Sequence, residues 1–133
     1  MSATIERPAL HVAIRHRADA VAVASMVRAL IRSAGGSDIQ ASAAATATAE
    51  LAQNIVSHAG GDGELDAWIE GADVVIRARD RGPSPRLRGR GLGQGRAAVE
   101  RLMDRVEVTT NAEGGLVVTT RTCIAPRRSA AWT

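Results

Sequence analysis

Glu50, Asn54 and Ser57 stand one helical turn apart in a stretch with strong helix propensity. At 100° per residue they lie within about 60° of each other, with His58 beside them. The apolar stripe of the same stretch, Ala44, Thr48, Leu51, Ile55 and Ala59, faces elsewhere. A carboxylate and a carboxamide oxygen therefore sit together beside a packed face. An amide oxygen is a hard ligand that leaves Mg²⁺ most of its waters. A carboxylate one turn away can take a proton from a nucleophile. The alternative is a solvated polar face on an amphipathic helix.

Asp80 closes a run in which Val74, Ile76 and Ala78 share its parity. It is therefore aimed at the apolar side of a strand, where a carboxylate must find a donor. An exocyclic amine such as that of adenine is one such donor. A turn amide or a neighbouring Arg is another. Gly82, just beyond, permits close backbone approach. Gly91, Gly93 and Gly95, in the run Gly89-Arg-Gly-Leu-Gly-Gln-Gly95, precede a helix. Glycines there expose backbone N–H groups, and a helix N-terminus attracts phosphate. A flexible loop is the plainer reading of that run.

The elements that must position these groups are legible in the hydrophobic periods. Leu10, Val12 and Ile14 alternate as a strand. From Asp19, Ala20, Val23, Val27 and Ile31 mark an amphipathic helix ended by Gly35-Gly36. Ser37 and Gln40 are spaced as a capping box for a second helix reaching about Ala59. Strands follow around Leu65–Ile69 and Val74–Asp80, then a loop over 81–90. A third helix is expected from Gln94 to Met103, then strands around Val106–Thr110 and Leu116–Thr120. The order β-α-α-β-β-α-β-β predicts an α/β two-layer sandwich, with helices on one face of a mixed, mostly antiparallel sheet. It disfavours an alternating dinucleotide-binding fold. One domain over 1–133 is expected, with frayed tails at 1–8 and 126–133.

Composition excludes several classes. The 133 residues include no Phe and no Tyr, and all 17 basic residues are Arg. Without Lys there is neither a P-loop nucleotide site nor a Schiff base. One cysteine, Cys123, leaves no internal disulfide. The net charge of +3 is too small to argue for nucleic acid, although Arg77, Arg79, Arg81, Arg86, Arg88 and Arg90 form a dense group. No apolar run is long enough to span a bilayer and no signal peptide is read, so a cytoplasmic protein is expected.

The motifs together resemble the Bergerat-type ATP-binding fold of the GHKL superfamily, over about Leu10 to Thr122. Glu50-Leu-Ala-Gln-Asn54-Ile-Val-Ser-His58 looks like the N box. Asp80-Arg-Gly82-Pro83 looks like the first glycine box, and Gly91-Leu-Gly93-Gln-Gly95 like the second. Within the superfamily the chain is most similar to small switch-protein serine kinases of bacterial stress-response modules, the RsbT type, with RsbW-type anti-sigma factors as cousins. The stretches ATAELAQNIVSHAGGDGEL, ARDRGP and GLGQGRAAVERLMDRVEV carry this likeness.

The resemblance implies ATP and Mg²⁺ as cofactors. Asn54 would coordinate Mg²⁺, Glu50 would be the general base, and Asp80 would bind the adenine amino group. Gly82, Gly91, Gly93 and Gly95 would shape the pocket. The implied activity is phosphorylation of a small antagonist protein, with a phosphatase or sigma factor as further partner and a homo-oligomer compatible with the pattern. The alternative is a nucleotide-binding module that sequesters its partner without turnover. The chain departs from the family at Ser84, where a second glycine is usual, and at Arg96-Ala97, where Leu-Pro is common. It also has a short lid, Pro85 to Arg90, which implies weak nucleotide retention.

Overall fold

Alternating Val12 and Ile14 against His11 and Ala13 make a strand, β1 (Leu10–Ile14), that buries one side only. In the computed structural model, residues 9–58, 62–81, 97–112 and 114–124 are described. After β1 come α1 (Arg17–Ser33), α2 (Asp38–His58), β2 (Gly63–Glu70) and β3 (Asp73–Asp80). A helix with described residues 97–102, α3, leads to β4 (Arg105–Thr110) and β5 (Leu116–Cys123). The five strands form one sheet in the order β1-β2-β3-β5-β4. Every pairing among the described residues is antiparallel. The α/β layering expected from the sequence is present.

The register of β2 on β3 follows from a two-residue turn. Gly71 takes φ 64°, the left-handed conformation such a turn needs at its first position. Glu70 then pairs with Asp73, and counting outward brings Gly63 opposite Asp80.

α1 and α2 lie on one face of the sheet. α1 buries Ala20, Val23, Val27 and Ile31. It begins two residues before the periodic stripe suggests, at Arg17, because Asp19 Oδ2 accepts the backbone N–H groups of Arg15 and His16 at 2.8 and 3.0 Å. α2 starts as expected. Ser37 Oγ accepts from Gln40 N at 3.1 Å, and Ser37 N donates to Gln40 Oε1 at 2.8 Å. These bonds satisfy two backbone donors at the helix start. Ala41, Ala44, Ala45, Ala47 and Ala52 of α2 are buried. Small side chains let α2 lie close to both α1 and the sheet. The bulk of the core comes from Ile14, Ile31, Leu65, Ile76 and the buried valines, with no aromatic ring among them.

The other sheet face carries charge. One row across it reads His11, Asp66, Arg77, Thr119 and Glu107; the next reads Ala13, Glu64, Arg79, Val117 and Thr109. β2 thus supplies acids beside the arginines of β3. Arg79 donates to Glu64 at 2.8 Å and to Asp66 at 3.0 Å, and Arg81 to Glu64 at 3.2 Å. Arg77 lies over the Trp68 ring, 5.1 Å from its centroid. The described part of the dense arginine group is therefore paired with acids of the same sheet face. Among the described residues no helix is long and apolar enough to cross a membrane.

Candidate functional site

Asp80 ends β3 between two glycines. On the β2 side, a Cβ at Gly63 would meet Arg79 O at 2.5 Å, Ile55 Cγ2 at 2.8 Å and Asp80 Cα at 3.2 Å. On the β5 side, a Cβ at Gly115 would meet Asp80 O at 2.2 Å and Oδ1 at 2.6 Å. Neither neighbour can carry a side chain without displacing this strand end. The glycines let the backbone close tightly around Asp80, with the Ile55 side chain of α2 against Gly63.

The carboxylate is held. Asp80 Oδ1 accepts the Leu116 N–H at 3.0 Å. Its backbone carbonyl accepts from Asn111 Nδ2 at 3.1 Å. Asn111 Oδ1 in turn accepts the Gly115 N–H at 2.8 Å. Asp80 is half-buried and faces the helix layer, as its parity predicts. The turn-amide alternative weighed from sequence is realised at Oδ1.

α2 approaches this place through Ile55, whose side chain rests against Gly63. Asn54 is its neighbour in the helix, and Glu50 lies one turn earlier. Both are half-buried. Asn54 Nδ2 is buried and has no hydrogen-bond partner among the described residues. Glu50 has no ion pair or side-chain hydrogen bond among them either. The last turns of α2 thus carry a carboxamide whose Nδ2 has no partner among the described residues and, one turn earlier, a carboxylate without an ion pair among them. Gly82, Gly91, Gly93 and Gly95 lie outside the described residues, as does the segment Pro85 to Arg90.

A depression of about 280 Å³ opens at this end, lined by Glu64, Arg79, Asp80, Arg81 and Asn111. Most of its lining belongs to the charged sheet face; Glu50 and Asn54 do not line it. Three residues at this strand end escaped the sequence reading. Gly63 falls between the second helix and the strand at Leu65, and Asn111 and Gly115 fall between the last two strands, where no periodic pattern singles them out. Gly63 could have been found by counting from the Gly71-Ala72 turn. Asn111 and Gly115 carried no such signal, because their role depends on a strand pair distant in sequence.

No protein-family model matches the chain, and no curated protein matches it. Solved structures do match. One is the crystal structure of the RsbU and RsbW domains of Rv1364c from Mycobacterium tuberculosis, with a TM-score of 0.70 at 18% identity. The match covers 89% of this chain and 33% of that one, so this chain spans about a third of the protein it resembles. At that identity the likeness is one of fold: the α/β architecture is shared.

Proposed function

We propose that the chain is an ATP- and Mg²⁺-dependent serine kinase that phosphorylates a small antagonist protein in a partner-switching module. The observation that carries this reading is the buried, unpartnered Nδ2 of Asn54 on α2, one turn from the half-buried Glu50. The fold likeness to a structure containing an RsbW domain supports it.

The residues fit the groups. The buried Nδ2 of Asn54 is a donor without a partner among the described residues, a capacity that a phosphate oxygen would use, while Mg²⁺ would take the amide oxygen. Among the described residues no cluster of three or more His, Cys, Asp or Glu could hold a metal. A lone amide ligand suits Mg²⁺, which keeps several waters and binds through substrate phosphates. When bound, Mg²⁺ neutralises phosphate charge.

Asp80, fixed by Leu116 and Asn111, accepts a hydrogen bond from the exocyclic amine of adenine. Glu50 accepts the proton of the target serine hydroxyl as its oxygen bonds to the γ-phosphorus, and the bond to the ADP oxygen breaks. Gly82, Gly91, Gly93 and Gly95 would shape the nucleotide pocket.

The test is phosphate transfer from labelled ATP to a co-encoded antagonist. Glu50→Ala should abolish transfer and leave ATP affinity within about 1 kcal/mol, because a general base acts on the nucleophile. ATP binding without transfer to any such partner would instead define a nucleotide-binding module that sequesters its partner, the reading favoured by the short segment Pro85 to Arg90.

A further inference from the structure

We propose that Asn111 is a positioning residue for base recognition, acting through Asp80. The inference rests on the adenine reading above and adds a residue to it. The β3–β5 ladder runs to Arg79 opposite Val117. One step further, Asp80 and Leu116 would be the next pair. There the backbone exchange is replaced by side chains. Leu116 N–H goes to the Asp80 carboxylate at 3.0 Å, and the Asp80 carbonyl takes the Asn111 carboxamide at 3.1 Å.

Asn111 also organises the turn that makes this approach. Its N–H donates to Gly115 O at 2.8 Å, its carbonyl accepts from Gly114 N at 3.0 Å, and its Oδ1 accepts from Gly115 N at 2.8 Å. The turn can lie this close only because residue 115 lacks a side chain. One carboxamide therefore spans two segments. Its oxygen closes the β4–β5 turn, and its nitrogen ties that turn to the end of β3. Leu116, which aims the carboxylate, is the first residue after the turn. Loss of the nitrogen arm removes one of the two ties between Asp80 and that segment and leaves the Leu116 N–H bond to hold the carboxylate. A bond to a base depends steeply on donor–acceptor angle, so a loosened carboxylate binds and discriminates less well.

The experiment is a double-mutant cycle on the full chain with Asn111→Ala, Asp80→Asn and the pair. Binding of Mg-ATP and Mg-GTP is read by calorimetry and stability by thermal melting. Asn111→Ala should lower ATP affinity about tenfold, the scale of one misaligned hydrogen bond. It should also narrow the ATP-over-GTP preference and add nothing in the Asp80→Asn background, while its effect on the melting temperature persists there. Asn111→Ser, whose hydroxyl can still serve the turn but is too short for the Asp80 carbonyl, should keep the fold and show the same affinity loss. Full ATP affinity and base preference in a folded Asn111→Ser would overturn the inference and leave the adenine reading standing. Unchanged ATP and GTP binding in Asp80→Asn would overturn both.

Discussion

His11 Nδ1 lies 2.5 Å from Asp66 Oδ1, on the sheet face away from the helices. Asp66 is 1% exposed although that face is open to solvent. Its other oxygen accepts from Arg77 at 3.3 Å and Arg79 at 3.0 Å. Three cationic or donor side chains from both flanking strands thus roof one carboxylate.

Removing that carboxylate should be costly. Asp66→Ala leaves two guanidinium groups crowded without their shared acceptor, and their Nε atoms are already buried without partners. Both arginines keep over a third of their side-chain surface in water, which softens the loss. A destabilisation of about 1–3 kcal/mol is expected, below the full cost of breaking a wholly buried pair. Urea unfolding checks it.

Thr120 offers the opposite sign. It is fully buried, and its Oγ1 has no partner among the described residues. Thr120→Val keeps the shape and removes an unsatisfied hydroxyl. It should stabilise the chain by about 1 kcal/mol, the low end of the cost of such a group. A lower denaturation midpoint for the valine variant would show that the hydroxyl is satisfied in solution.

At the start of α1, the bond from Arg15 N–H, then that from His16 N–H, holds the Asp19 carboxyl below its ordinary range. The folded-state value is thus lower than the unfolded one. The stabilisation is present above the ordinary Asp pKa of about 3.9 and is lost as pH falls through the folded value. Asp19→Ala should melt below the wild type at neutral pH, and the gap should close as pH drops below about 4. Melting curves across that range read it directly.

Much of this architecture was legible in local sequence. The Ser37–Gln40 box and the strand alternations act over a few residues, and each appears where its spacing places it. The start of α1 was misplaced by two residues because Asp19 reads as a helix start when it is the third residue, reaching back. The surroundings of Asp66 were not legible. An acid alternating on the polar side of a strand looks solvated, and only strand order puts His11 on one side and Arg77 on the other. Within the candidate site, Glu50, Asn54 and Asp80 were named from spacing. The glycines that frame Asp80 were not, since their role needs the register of three strands.

Asn54 supplies a metal-specific prediction. Asn54→Ala should reduce nucleotide affinity in Mg²⁺ and much less in EDTA, because its assigned partner is the hydrated ion. An equal loss in both conditions would make Asn54 a structural residue of α2.

The most direct measurement is calorimetric titration of Mg-ATP and Mg-GTP into the wild type and Asp80→Asn. ATP should bind in the tens of micromolar, about −6 kcal/mol, with GTP weaker. Asp80→Asn should lose about 1.5–3 kcal/mol of ATP binding, the scale of a hydrogen bond to a charged group. Equal ATP and GTP affinity in the wild type, unchanged by Asp80→Asn, would contradict adenine recognition by Asp80.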